Sequence, residues 1–385
     1  MLEHLAQRGI ALRWIGDAPQ HGKDMAMLIP QFNEGSKDGF ECRLAYFDSF
    51  ARKYQDSIDV VLIDDGSTDA SMHKINAYQK ANDTKLYIAS ISPNAQKVGA
   101  LFKTILNVDH PYIILSDFDT DIKGIEELLV NAVMLKRDPD LMGCYFKMVP
   151  FEGTGNVFAF QQLEYALQRS IYSFHKREGS VRVMPGAASC YKRKALLSIY
   201  SAHSGLRNGE DREATLLGLK MKYKTMYLDS VLAMTRPPLS FSALVNQRIR
   251  WNLGYFETFD KERDYYLKQI GKLNRFGIVT LVDMLVVVFI LCLPALFLLI
   301  GLTADARELM LFSMVIYLVY IIWAARVLFD PAEQAGKKMF SHIGSLVIFP
   351  LFKIALDFCS WGGALLKFVR IRKSRISIPK EVEAV

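Results

Sequence analysis

Tyr112-Ile113-Ile114-Leu115-Ser116-Asp117-Phe118-Asp119-Thr120-Asp121 decides how this chain is read. Its first four residues are apolar or aromatic and read as a buried parallel strand, and the carboxylates arrive where that strand ends. Chemistry in open α/β sheets collects at such carboxyl ends. Three acids at alternate positions repel one another unless something positive lies among them, and a hard divalent cation that also grips a phosphate is the economical answer. A calcium loop also opens on Asp-x-Asp-x-Asp, but it needs Gly at its sixth position and Glu at its twelfth, where this chain has Ile122 and Leu128. A merely solvated acidic turn is the remaining bland reading, so the rest of the chain must decide.

Upstream, Met25 to Pro30 is a short apolar run closed by Pro, followed by the loop Gln31-Phe32-Asn33-Glu34-Gly35. A helix is expected over 40–54. Asp59 to Ile63 is a second buried strand that ends in Asp64-Asp65-Gly66-Ser67-Thr68-Asp69, where capping residues open another helix. A third strand over 85–90 leads to Pro93-Asn94-Ala95-Gln96-Lys97-Val98-Gly99-Ala100 and a further helix. This alternation predicts an α/β, doubly wound sheet with acids and loops gathered at one edge. There is no Gly-x-Gly-x-x-Gly and no Gly-Lys-Ser/Thr loop, so a nucleotide would not be held by either of those devices.

Downstream the pattern is mixed. A strand is expected over 141–150, an amphipathic helix over 158–175, and a strand over 181–188 that meets the small residues Gly186, Ala187 and Ala188. Asn208-Gly209-Glu210-Asp211-Arg212-Glu213 then opens a helix through Leu219. Arg236-Pro237-Pro238 marks a break. Beyond it, 240–251 fits an amphipathic helix carrying Gln247-Arg248-Ile249-Arg250-Trp251, and 256–273 mixes aromatic and charged residues at helical spacing, as helices lying flat on a membrane do. A solvated surface helix is the alternative there; its place just before an apolar stretch favours the interface.

Three apolar stretches follow. Residues 276–301 and 309–329 are each long enough to span a bilayer. The third, 343–368, contains Pro350, Lys353 and Asp357, so either the two charges pair at i,i+4 or the segment is broken or re-entrant. Lys337 and Lys338 place the second connection in the cytosol, and the basic tail (Lys367, Arg370, Arg372, Lys373, Arg375) prefers the same side, which a third crossing forbids. Three membrane segments are expected, with the full crossing of the last left open.

Composition agrees with this division. Hydrophobic content of 51% beside 23% charged residues does not describe one uniform globule, and the apolar residues concentrate after 275. The expected parts are a polar extension (1–24), a cytosolic domain (25–238), interfacial helices (239–275), a membrane region (276–368) and a basic tail (369–385). A net charge of +7 suits an anionic membrane surface and phosphorylated substrates. No basic stripe with interleaved aromatics is present, which argues against nucleic acid. The five cysteines are scattered, with no Cys-x-x-Cys pair, and read as buried free thiols in a reducing compartment. His175 and His203 show no metal spacing and are expected to be structural or exposed. The first 24 residues carry charges throughout and have no signal-peptide core, so the first domain is expected to stay in the cytosol.

These residues together resemble glycosyltransferase family 2, over about Met25 to Gly254. The landmarks are Asp64-Asp65-Gly66-Ser67, Asp117-Phe118-Asp119, Gly209-Glu210-Asp211 and Gln247-Arg248-Ile249-Arg250-Trp251, in the expected order. The last is similar to the Gln-x-x-Arg-Trp signature of the processive synthases of cellulose, chitin and hyaluronan. The resemblance implies a GT-A-type mixed sheet with helices on both faces, then amphipathic interfacial helices and C-terminal transmembrane helices, in a membrane of the plasma or bacterial inner type. It implies a nucleotide-sugar donor, of uridine type, and a saccharide or lipid acceptor; membrane lipids are further partners, and a homo-oligomer is compatible with it.

Residue chemistry and the resemblance assign the same roles. Asp65, with Asp64 and Glu34, would accept hydrogen bonds from base and ribose. Asp119 with Asp117 would hold Mg²⁺ or Mn²⁺ against the diphosphate. Arg250 offers a planar fork for phosphate oxygens, with Gln247 a neutral donor beside it. Lys97 would reach the phosphates, an ordinary surface lysine being the plain alternative. Asp211, helped by Glu210, would take the proton from the acceptor hydroxyl, and one displacement implies inversion. Trp251 would face an acceptor sugar, and Gly186 would line the acceptor or donor path. Three C-terminal segments are few for a polymer conduit, so transfer of a single sugar to a lipid competes with polymer synthesis. A catalytically silent scaffold is the third reading, against which Asp119 and Asp211 both stand.

Overall fold

The protein is described by a computed structural model covering residues 8–20, 22–176, 181, 183–303, 305–325 and 343–376. Two compact units form, Met1–Val149 with Tyr172–Arg236, and Pro150–Ile171 with Pro237–Val385. Each has its own core.

The first unit is organised on a nine-stranded sheet among the described residues, in the order β1-β4-β3-β2-β5-β8-β7-β9-β6. The strands are β1 (Ala11–Ile15), β2 (Met25–Gln31), β3 (Ile58–Asp64), β4 (Tyr87–Ser92), β5 (Tyr112–Leu115), β6 (Thr120–Lys123), β7 (Leu141–Pro150), β8 (Ser189–Lys192) and β9 (Lys224–Thr235). β4, β3, β2 and β5 run parallel, and β8 adds to β5 antiparallel. Apolar residues alternate between two cores: Leu28, Val61 and Ile113 enter one, Met27, Val60 and Ile114 the other. A strand buried on both faces has to be apolar throughout, which is why this part of the fold reads directly from sequence.

Helices cover both faces. α1 (Phe40–Lys53), α2 (Ser71–Ala81) and α4 (Ile125–Arg137) pack on one core. α3 (Gln96–Leu106), α6 (Arg193–Ala202) and α7 (Glu210–Lys220) pack on the other; α5 (Asn156–Lys176) belongs mostly to the second unit. The chain order reverses between β2 and β5, so the crevice at their carboxyl ends is the switch point where ligands bind in such sheets.

Several expectations change. Ala11–Ile15 forms an edge strand antiparallel to β4, so the sheet unit begins ahead of residue 25. The strand expected over 181–188 lies instead at Ser189–Lys192, and Gly186 sits in a turn before it. Of the cysteines, Cys144 and Cys190 are buried as expected, whereas Cys42, Cys292 and Cys359 are exposed.

In the second unit the two helices expected over 240–273 are present as α8 (Phe241–Gly271), but they meet at a kink at Glu262 rather than between 251 and 256. Ser240 caps it, its hydroxyl accepting from the Ala243 amide at 3.3 Å. α9 (Arg275–Thr303), α10 (Ala306–Ala325) and α11 (Ile343–Ile376) follow. All three are long and apolar enough to cross a membrane. α11 continues through Pro350 without a break, and Lys353 and Asp357 do pair across one turn. Lys337 and Lys338 lie outside the described residues, as does the side chain of His175.

Candidate active site

The three alternating acids after β5 have two different fates. Phe118 is buried and packs on Phe40 and Phe47, with ring centroids at 5.2 and 5.9 Å. Two arginines hold the third acid. Arg43 donates to Phe118 O at 2.7 Å, to Thr120 O at 3.0 Å and to the Asp121 carboxylate. Arg236 reaches the same carboxylate at 3.0 and 3.3 Å and donates to Asp119 O. Asp121 therefore clamps the loop, and Asp117 and Asp119 remain for a ligand. Asp119 is pushed up to about 6 by burial and by the neighbouring charge of Asp117.

Beside this pair stands Lys97, on the first turn of α3. Its ammonium lies 2.8 Å from Asp117 and 3.6 Å from Glu210. Burial works against its charge, but Asp117, Asp211 and Glu210 outweigh that and hold the ammonium well above its ordinary value. Lys97, with 26% of its side chain exposed, thus meets the acid cluster at the wall of a cleft.

Asp211 sits in the first turn of α7, where its carboxylate accepts from the Gly186 amide at 2.8 Å. A Cβ on residue 186 would lie 2.3 Å from that carboxylate, so only glycine fits against it. The structure thus gives Gly186 a definite part, the seating of Asp211. Thr215 ties the same turn down, donating to Asp211 O at 2.7 Å while accepting from Met184 N at 2.8 Å. Behind it, buried His203 accepts at Nδ1 from Gly205 N (3.0 Å), so its proton is on Nε2, which faces Glu210 O at 3.1 Å. Burial raises Asp211 to about 7; Lys97 opposes the shift, Glu210 and Asp117 reinforce it.

A cleft of about 480 Å³ opens alongside, lined by Phe32, Asp65, Asn94, Lys97, Arg207 and Glu210 among others. Asp65 is pushed up to about 6 by burial although it accepts from Asn94 Nδ2 (3.0 Å) and Ala95 N (2.7 Å). Gly66 adopts φ +70 with no room for a Cβ against Asn94, which brings the Asp65 loop onto the Asn94 loop. Asp64 is turned inward, bonded to Gln31 and to Ser67 N (3.3 Å), and does not line the cleft. Glu34 pairs with Lys37 at 2.7 Å and adds to the negative field on Asp119.

Gln247, Arg250 and Trp251 belong to the second unit, on α8. Arg250 and Trp251 are exposed and Gln247 half-buried. Between them Arg248 is buried, and sequence reasoning gave it no role. Its guanidinium lies 4.0 Å over the Trp251 ring, donates to Gln247 Oε1 at 2.7 Å and pairs with Glu164 at 2.6 Å. An arginine can only donate, so it must face the amide oxygen of Gln247, leaving that amide's two N–H groups to point elsewhere. Lys353 on α11 lies 3.7 Å from the same Glu164. Burial works against the charge on Glu164, but Arg248 and Lys353 outweigh it and the net direction is down.

Among the described residues no three His, Cys, Asp or Glu side chains could hold a metal by themselves. Asp117 and Asp119 nonetheless suit a hard cation: they offer only oxygen, and the raised Asp119 marks a repulsion that such an ion relieves. Two carboxylates leave the other positions to phosphate oxygens and water, as Mg²⁺ prefers.

A family model described as glycosyl transferase family group 2 matches residues 112–327, more than half of the chain. The chain belongs to that family. This family 2 chain is 27% identical over 234 residues to an N-acetylglucosaminyltransferase of Azorhizobium caulinodans, a match covering 58% of each protein. It is 27% identical over 192 residues to chitin synthase V of Fusarium oxysporum, covering 43% of the chain and 10% of that synthase. The chain thus spans little more than half the length of the N-acetylglucosaminyltransferase it matches. In structure it resembles the mannosyltransferase PcManGT of Pyrobaculum calidifontis, solved with GDP-Man and Mn²⁺. That likeness has a TM-score of 0.54 at 15% identity and covers 89% of this chain and 91% of the other. The fold is of the GT-A type.

Proposed function

We propose that this family 2 chain is a membrane-bound, metal-dependent, inverting glycosyltransferase. It moves a sugar of the N-acetylglucosamine type from a uridine-diphosphate donor to a growing β-linked poly- or oligosaccharide, with the sheet unit facing the cytosol. The observation that carries this reading is Asp211: a carboxylate raised to about 7, seated on Gly186 N and near Lys97, Glu210 and Asp117. A base poised near the working pH combines enough deprotonated form with enough basicity. The relatives called N-acetylglucosaminyltransferases and chitin synthase support the choice of sugar.

In the reaction Asp211 takes the proton of the acceptor hydroxyl as that oxygen bonds to the anomeric carbon, and the bond from that carbon to the donor diphosphate breaks. A single displacement inverts the centre, so an α-linked donor gives a β-linked product. Asp65, in the cleft with Phe32 and Asn94, receives the base. Lys97, already among the acids, offers its ammonium to phosphate oxygens. A divalent ion held by Asp119 and Asp117 would supply charge neutralisation for the departing diphosphate. Arg250 and the N–H groups of Gln247 are the proposed further donors to a diphosphate, and Trp251 the proposed ring for the acceptor, as the resemblance implies.

One observation favours a second reading, transfer of a single sugar to a membrane lipid. An apolar cleft of about 320 Å³ lies among α9, α10 and α11, lined by Ile290, Leu293, Phe297, Leu351 and Phe358 among others, and it suits an aliphatic chain. Detergent-purified protein given Mn²⁺, radiolabelled UDP-sugars and a membrane lipid extract, with every product sized, tests both. Chains that lengthen with time establish the polymer reading, one labelled glycolipid establishes the lipid reading, and no transfer from any donor overturns both.

A further inference from the structure

α11 packs along α8 in parallel for most of its length. Phe241 meets Phe352 at 5.2 Å between ring centroids, Asn252 donates to the Ser360 hydroxyl at 3.0 Å, and Phe256 meets Phe368 at 5.7 Å. Asp260 closes the series against Arg372 at 3.7 Å. The shared stretch, Phe241 to Asp260 on α8, is about 30 Å long at 1.5 Å per residue, as thick as the hydrocarbon core of a bilayer. If α11 crossed that core, α8 would cross beside it and carry Arg248, Arg250 and Asp260 through the hydrocarbon, followed by Lys261, Arg263 and Asp264. Arg250 and Asp260, within that stretch, are exposed. Exposed charges at that depth are not tolerated.

We infer that α11 does not span the membrane: it lies in the plane of the leaflet on the side of the sheet unit, and the chain crosses the bilayer only twice, by α9 and α10. The polar side chains of α11 follow one face, Lys353, Asp357 and Ser360, and are buried or nearly so. The opposite face is exposed and apolar for about six turns, through Val347, Leu351, Phe358, Leu365, Leu366 and Val369. Leu351 and Phe358 share a cleft with Ile290, Leu293 and Phe297 of α9. That face is thus turned towards the part of α9 that must lie in lipid. A helix with one apolar face, ending in exposed Lys367, Arg370, Arg372 and Lys373, is built to lie on an anionic lipid surface.

Two crossings also return the basic tail to the side of the sheet unit, where the charge rule places it. The conflict between a third span and a basic tail then disappears.

Labelling with a membrane-impermeant maleimide tests this without reference to turnover. In a full-length background carrying C42S, C292A and C359A, single cysteines are introduced as K80C on the sheet unit and K373C at the end of α11, and sealed vesicles of known orientation are labelled. Both positions are expected to react from the same side; reaction from opposite sides overturns the inference. Fluorophores on L351C, F358C and L366C, quenched by spin-labelled lipids, give depth. Equal shallow depths are expected, and a steady change of depth along the helix, as in a span or a re-entrant segment, overturns it as well.

Discussion

In the membrane-proximal unit Glu164, Arg248, Lys353 and Asp357 link two acids with two bases, each within salt-bridge distance of an opposite charge. In the sheet unit Asp117, Glu210 and Asp211 gather around the ammonium of Lys97, with Asp119 close by, and Asp119 and Asp211 are held well above the ordinary carboxylate range. Both arrangements are partly or wholly buried, yet the first closes on itself and the second does not. A balanced network of this kind holds elements together, whereas a surplus of one sign in a crevice is an unfilled demand for a ligand of the other. The same contrast recurs within the five residues 117–121 that follow β5, where Asp121 is matched by Arg43 and Arg236 and Asp117 and Asp119 are left with a deficit.

The largest effect that could break this contrast comes from Asp119→Asn beside Asp121→Asn. Asp119→Asn is expected to lower metal-dependent transfer about a thousandfold, several kcal/mol of transition-state stabilisation, and to leave the melting temperature unchanged or higher because a repelled charge is gone. Asp121→Asn should instead destabilise the fold by about 3 kcal/mol, since it strands buried guanidinium charge. Calorimetric melting of both variants beside an activity assay decides; equal melting points would dissolve the distinction.

Arg248→Met is the corresponding strike at the balanced network. It leaves Glu164 without its closest partner and is expected to cost about 3 kcal/mol, while Glu164→Gln with Arg248→Met recovers much of that loss. Trp251 should still lose its cation contact in the double variant, seen as increased acrylamide quenching of a protein retaining Trp251 as its only tryptophan. If neither variant shifts stability, the network is not structural.

Arg250→Ala, at an exposed position, should weaken UDP binding roughly tenfold, as expected for the loss of one charge-assisted hydrogen bond, with no change in melting. Unchanged affinity for UDP would remove Arg250 from the diphosphate site.

The pH profile gives the gentlest test. Asp211 must be deprotonated to accept a proton, and its raised value means that the active form is lost as pH falls through about 7. The rate should therefore drop towards tenfold per unit below that point and level off above it. A profile flat down to pH 5 would show that an ordinary carboxylate, or none, is the base.

Much of this was legible in the chain because burial on both faces forces continuous apolar strands, and because acids at their carboxyl ends have few structural uses. The sequence spacing could not divide the three acids of the loop. That division depends on Arg43, 75 residues before its Phe118 partner, and on Arg236, 115 residues beyond Asp121, and no local pattern reports such distant partners. β1 escaped because an exposed edge strand need not be apolar. Gly186 was marked as a place of close approach, but only the fold shows that Asp211 is what approaches. Arg248 was hidden inside a motif whose flanking residues drew the functional reading, and its burial against Glu164 is a tertiary fact. The Lys353 and Asp357 spacing did announce their pairing, since i,i+4 neighbours on a helix meet whatever surrounds them.

The central claim, that the unbalanced acids of the sheet unit bind and turn over a nucleotide sugar, is tested most directly with Asp211→Asn. Transfer from UDP-N-acetylglucosamine and calorimetric affinity for UDP with Mn²⁺ should be measured on the same preparation. The account predicts transfer reduced by about a thousandfold with UDP affinity within a factor of two or three of the parent. Normal transfer in this variant would contradict it.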